Sequence, residues 1–205
     1  MAKSFRNVCL LAFAVIALCA IAAEGDSQQL VFESQSWTLD GKTNVIHFRG
    51  PKITQGDLGI EADEAIATGI EFEQQSEWRF TGHVRIQLKG ALITADSAVF
   101  TFADKRLARG ELTGSATFED TERVEGKQAV RGGADKVLYD EKARTLRLSE
   151  NAWVHKDQYE MQGCDLIYNL NGEGVSSGSP NCPQPFRIRV LSQQDGNAAT
   201  TDAPQ

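Results

Sequence analysis

Val84, Ile86 and Leu88 alternate with Arg85, Gln87 and Lys89, so one face of this segment is apolar and the other wet. Lys89-Gly90-Ala91 supplies a turn. Ile93-Thr94-Ala95 resumes the alternation, Asp96 interrupts it, and Val99, Phe100 and Phe102 carry it on. Phe80 to Phe102 therefore predicts two strands joined by a turn.

The pattern recurs along the chain. Phe48-Arg49-Gly50 leads through Ile53 and a turn at Gly56 to Ile60-Glu61-Ala62-Asp63. Leu112-Thr113-Gly114 leads through Ala116 and Phe118 to Gly133-Ala134-Asp135. Leu148-Ser149-Glu150 leads through Val154 to Gly163-Cys164-Asp165. The units begin at Gly50, Gly82, Gly114 and Glu150, at spacings of 32, 32 and 36 residues. A fixed period of this size means stacked units, none of which buries its own apolar face. The last unit replaces Gly by Glu150, and the third carries a charged insert from Glu119 to Gln128.

Outside the repeats, Leu30-Val31-Phe32-Glu33 predicts a first, edge strand, and Val45 to Phe48 the next, after a turn at Asp40-Gly41-Lys42. Glu61 to Ile70 is rich in Ala and is the segment nearest to a helix, but its place in the repeat argues for a strand. Ser176 to Pro185 reads as a loop. Phe186-Arg187-Ile188-Arg189-Val190 reads as a last alternating strand, and residues 193–205 as a disordered polar tail. Short strands at regular spacing predict an all-β sandwich, barrel or solenoid.

Residues 1–22 have the form of a signal peptide: Lys3 and Arg6, an apolar run from Val8 to Ile21, and small residues at Ala20 and Ala22. The alternative is an uncleaved anchor, for which the run is short of the ~20 residues a span needs. The whole chain carries a net charge of −7, and loss of Lys3 and Arg6 would leave −9. That excess of acid argues against nucleic acid as a partner, which needs a basic footprint, and against docking to an anionic membrane by charge. Export would also leave two of the four cysteines, Cys164 and Cys182. An oxidising compartment favours a bridge between them; the alternative is two free thiols too far apart to meet.

Candidate chemistry is sparse. Gly174-Val-Ser-Ser-Gly178 matches the nucleophile-elbow spacing, but that motif needs a later His and a strand-to-helix turn, and no His follows His155. Asp63, Asp96, Asp135 and Asp165 recur at one place in every unit, which suits turning or bulging of the strand through side-chain-to-backbone bonds better than catalysis. His47, His83 and His155 sit at different offsets and have no ligand spacing. Neither a metal nor a cofactor is expected, nor an enzyme.

The apolar faces are then the subject. Stacked hairpins with one apolar side make either a filled core or a lined groove. Two features favour a groove: many Ala and Gly among the apolar positions, which leave room, and first and last strands that stay apolar on one face with no helix to cover them.

Leu30 to Ser34 and Asn44 to Asp63 resemble the opening of the OstA-like family. Gly114 to Asp120, Ala134 to Tyr139 and Phe186 to Ser192 resemble its later strands. The resemblance covers about residues 28–192. The segment from Gly69 to Asp96 departs from it as an additional repeat, and Pro51 stands where a strand donor is usual. The resemblance implies an antiparallel β-jellyroll or open β-solenoid, open along one side, that shields lipopolysaccharide acyl chains in the periplasm. It also implies edge-to-edge self-association into a bridge between membranes, with an LptC-like inner-membrane protein and an LptD-like outer-membrane translocon as further partners. The lipid-binding residues it carries over are Leu30, Phe32, Ile53, Ile60, Phe118 and Tyr139; alternation adds Val84, Ile86 and Phe100. Arg187 and Arg189 either meet sugar phosphates or form a solvated edge. A membrane-anchored LptC-like component and a structural β-solenoid binding module are the alternatives.

Overall fold

The structure, a computed structural model, describes residues 29–68, 75–121, 129–172, 174–179, 182–183 and 185–191. The signal peptide and polar tail read from the sequence lie outside the described residues, as does most of the charged insert. The described chain is all-β: fourteen strands joined in one antiparallel sheet.

The short strands come first: β1 (Val31–Glu33), β2 (Ser36–Asp40), β3 (Val45–Arg49), β4 (Lys52–Gln55), β5 (Leu58–Glu61) and β6 (Glu64–Thr68). Six long strands follow: β7 (Ser76–Leu88), β8 (Ala91–Ala103), β9 (Arg106–Asp120), β10 (Arg131–Asp140), β11 (Thr145–Lys156) and β12 (Tyr159–Asn169). β13 (Gly174–Ser177) and β14 (Arg187–Val190) end the chain. The Ala-rich segment is a strand, β6, because β3 and β7 offer ladders on both sides of it. The expected loop from Ser176 needs correcting. Gly174–Ser177 is a strand, since the free edge of β12 pairs it from Leu166 to Asn169 despite its poor intrinsic preference.

Each ladder between neighbouring long strands slips in register near its middle, and these slips align into a ridge. The pairing register shifts between Thr81 and Val84, between Thr94 and Ser97, between Ala134 and Lys136, and between Ser149 and Ala152. One arm of every long strand lies in a first layer with β1, β4, β5 and β14. The other arm lies in a second layer with β2, β3, β6 and β13. The ridge explains the period. β7, β9 and β11 turn there through consecutive left-handed residues: Gly82-His83 (φ 76° and 46°), Gly114-Ser115 (80° and 49°) and Glu150-Asn151 (64° and 54°).

The recurring Asp of one unit packs on the Gly of the next. A Cβ on Gly82 would stand 2.3 Å from Asp63 Oδ2, and one on Gly114 would stand 2.4 Å from Asp96 Oδ2. Glycine is required there twice over, by its φ and by the carboxylate. Where Glu150 replaces it, the Asp135 carboxylate accepts a hydrogen bond from Asn151 Nδ2 at 2.6 Å instead. The expectation of bonds from each Asp to backbone is thus modified at three positions: Asp63 and Asp135 bond side chains of the following unit, His83 and Asn151, and Asp165 is held by Arg147. Pro51 sits at the ridge between β3 and β4, where its carbonyl accepts from Ala62 N and the ladder asks nothing of its nitrogen.

Candidate functional site

The inner face of the first layer is one continuous apolar rung. Successive cross-strand partners are Phe32, Ile53, Ile60, Ile86, Ile93, Phe118, Gly132, Val154, Met161 and Ile188. The second layer has a matching rung in which Leu39, Ile46, Ala67 and Trp78 lead to Phe100, Gly110, Tyr139, Leu146, Tyr168 and Val175. Sheet pleat puts every member of a rung on the same side, so ten strands of each layer present grease to the other layer.

Both rungs run out to unpartnered edges. Trp37 and Leu39 at one end are 64% and 47% exposed, and Ile188 and Val190 at the other are 55% and 65% exposed. Between the ends, side chains of the two layers meet. Phe32 of the first layer packs against Phe48 and Trp78 of the second, with ring centroids 4.6 and 5.1 Å apart, and Phe118 stacks on Tyr168 at 4.8 Å.

The candidate lipid-binding residues all face this interior. Ile53, Ile60, Val84, Ile86, Phe100, Phe118 and Tyr139 are buried, while Leu30 and Phe32 are partly buried near the first end. The room expected from small residues is taken up by neighbours. A Cβ on Gly110 would meet Phe100 Cε1 at 2.7 Å, and one on Gly132 would meet Phe118 Cε1 at 2.3 Å. The glycines let aromatic rings lie flat across the sheet, and the interior is filled.

The ridge and outer faces are polar. His83 Nδ1 lies 2.7 Å from Asp63 Oδ2, and that contact and charge raise the imidazole pKa above its ordinary value. Arg147 grips Asp165 through Nε at 2.8 Å and Nη2 at 2.5 Å, beneath Gly178. Lys52–Glu61 at 3.0 Å and Lys136–Glu111 at 2.7 Å are half-exposed cross-strand pairs that fix register more than they add stability. Arg189 lies 3.7 Å from Glu160. Cys164 and Cys182 are joined, Cα to Cα 5.9 Å, tying the segment before β14 to β12. Among the described residues, no group of three or more His, Cys, Asp or Glu is placed to hold a metal, and no helix is long and apolar enough to cross a membrane.

Opposite the ridge the two layers meet at a seam of hairpin turns. Gln55 Nε2 of the first layer donates to Lys105 O of the second at 2.8 Å, and Arg144 Nη2 of the second donates to Lys89 O of the first at 2.8 Å. A cleft of about 700 Å³ lies among these turns, with Leu58, Leu88, Leu107 and Leu170 as its apolar part. Deeper in, Tyr168 Oη donates to the buried Asp120 at 2.6 Å. Sequence reasoning gave no sign of Gln55, Arg144 or Asp120 as seam residues. They come from turns and strand ends far apart in the chain, and alternation speaks only of faces. Trp78 and Phe80 alternate in the sequence, but they lie within the segment from Gly69 to Asp96 that departs from the resemblance.

Residues 67–173 match the family described as LptA/(LptD N-terminal domain) LPS transport protein. The chain belongs to that family. As a member of the LptA/LptD N-terminal family it is a component of lipopolysaccharide transport, and its all-β jellyroll is the fold expected of one. Among solved structures, it is similar to LptH, the LptA homologous periplasmic component of the conserved lipopolysaccharide transport device from Pseudomonas aeruginosa. The identity is 14% and the TM-score 0.49, with 80% of this chain and 96% of that one covered. No curated protein matches it in sequence.

Proposed function

We propose that this chain is a periplasmic, non-enzymatic carrier that holds lipopolysaccharide acyl chains between its two layers and serves as one segment of a bridge from inner to outer membrane. The observation that carries this reading is the apolar rung, which runs across ten strands and reaches both unpartnered edges. An apolar track that meets water at both ends can be continued by a neighbour.

The energetics set the mode of binding. Opening the two layers into water would expose side chains worth roughly 1.5–3 kcal/mol each, so lipid must replace the contacts it displaces. An acyl chain can do so, since each CH₂ removed from water contributes ~0.8 kcal/mol. The layers then separate only as far as the chains fill them, and the phosphorylated sugars stay outside with the polar faces. At the ends, β1 and β2 on one side and β13 and β14 on the other leave main-chain donors and acceptors for strand addition. The partners read there are a second copy, an LptC-like inner-membrane protein and an LptD-like outer-membrane translocon.

A filled interior also favours a second reading, a structural β-module that carries no lipid, because Ile53, Ile60 and Phe100 have no exposed surface at all. Introducing Asp at Ile60 or Phe118 does not separate the two, since a carboxylate in either buried place unfolds the domain on both readings. Photo-crosslinking does. A benzophenone side chain at Phe32 or Phe118 is expected to give lipopolysaccharide adducts in cells, and one at the outward-facing Ile66 is not. Adducts at Ile66 alone would end the carrier reading. A membrane-anchored LptC-like role requires that residues 1–22 be retained; a mature amino terminus near Ala23, read by mass spectrometry, excludes it.

A further inference from the structure

The two layers are built to part on one side only. At the ridge, β7 to β12 pass unbroken from one layer to the other, so separation there would break strands. At the seam, the hydrogen bonds seen between the layers among the described residues are made by side chains: Gln55 and Arg144 at the turns, and Tyr168 on Asp120 beneath them. Arg144 is the most heavily engaged of them. Its Nη2 donates to Lys89 O at 2.8 Å across the seam, while Nη1 donates to Tyr139 Oη at 3.0 Å and lies 3.5 Å from Glu141. Its side chain is only 22% exposed, although it sits in a hairpin turn. Gln55 makes the second crossing, to Lys105 O.

The cleft between these crossings is ordered as an amphiphile is ordered. Its charged lining is Lys89, Arg106 and Arg144 with Asp57 and Glu141, and its apolar lining includes Leu88 and Leu107, 4% and 5% exposed, from opposite layers. Parting those two leucines opens directly onto the buried core of which both are members.

We propose that this cleft is the lateral mouth through which long acyl chains enter the interior. Arg144 on Lys89 O and Gln55 on Lys105 O latch it shut. The inference rests on the carrier reading and adds the place of entry and its gate. Both latch bonds end on backbone carbonyls at the surface, so water replaces them as the mouth opens and each adds only a modest barrier. The ridge is the hinge. A chain tip entering between Leu88 and Leu107 meets the Ile86–Ile93 pair of the rung next, since both lie on β7 and β8 two residues inward from the turn.

The test is stopped-flow uptake of pyrene-labelled dodecanoate by the wild-type chain and by Arg144→Ala, Gln55→Ala and the double variant. Loss of one such bond is expected to speed uptake about threefold to tenfold, with the double variant fastest and Arg144→Lys between wild type and Arg144→Ala. Uptake that is equal in wild type and all variants overturns the mouth while leaving the carrier reading intact. Absence of uptake by the wild type, together with no lipopolysaccharide adduct at Phe32 or Phe118, overturns both. If Arg144→Ala fails to fold, Gln55→Ala decides alone, since that side chain is only half-buried at the end of β4.

Discussion

Replacing Gly110 by alanine probes whether the interior has room of its own. Gly110 lies directly across from Phe100 on β8 and Tyr139 on β10. The new Cβ would stand 2.7 Å from Phe100 Cε1 and 2.9 Å from Cδ1, but 3.8 Å from Tyr139 Cβ, which is ordinary contact. Only the Phe100 ring must yield, by about 1 Å to restore normal carbon–carbon separation. It has little freedom to do so, being fully buried with Phe80 edge-on at 5.2 Å. Overpacking of this kind costs about 1–3 kcal/mol, offset by roughly 0.5–1 kcal/mol from removing a mid-strand glycine. A net loss of about 1–2 kcal/mol is expected, at about 2–4 °C of Tm per kcal/mol for a chain of this size. Phe100→Ala alone costs about 3–5 kcal/mol. The double variant is expected to be more stable than the sum of the two losses predicts, by about 1 kcal/mol, because the alanine methyl enters space the ring has left. Equilibrium urea melts of the four proteins measure this. Additive losses would mean that the ring does not occupy the space over Gly110, and that a guest could enter without displacing side chains.

Three further outcomes are expected. His83 should titrate above its ordinary value of about 6.5 by NMR, and Asp63→Asn should bring it down; because the folded state raises this pKa, its contribution to stability is present at low pH and fades as pH rises through the folded value. Tyr168→Phe takes a donor from the buried Asp120 and should cost about 1–3 kcal/mol in urea melts; unchanged stability would show that the bond does not hold the seam. Cys182→Ser opens a loop of 18 residues' separation and should cost up to about 3 kcal/mol. Amide exchange should rise first in Arg187–Val190, which otherwise rests on β12 through four paired positions, and uniform exchange would contradict that.

The strands were legible because alternation is a local signal. Val84, Ile86 and Leu88 announce an inward face whatever lies opposite, and the recurrence of Gly and Asp gave the unit. What alternation cannot carry is the identity of a partner. That Asp96 rests on Gly114, or that Phe118 fills the space over Gly132, depends on register shifts at the ridge. The many glycines and alanines were therefore read as room, when Gly110 and Gly132 are seats for rings from the next strand. The seam was illegible for the same reason, since Gln55, Lys105, Lys89 and Arg144 come from four different turns. β13 was missed because Gly and Ser favour loops on their own, and the free edge of β12 overrides them.

The hitch of a unit's aspartate to the following unit, at Gly82, Gly114 and Asn151, makes length a separate variable from cross-section. A unit inserted or removed whole carries its own hitch and leaves hinge, seam and inner face in line. Each such step adds two strands, or about 10 Å at ~4.8 Å per strand. Under the bridge reading proposed above, a molecule of this design is a gauge graduated in hairpins, whose reach is set by counting units.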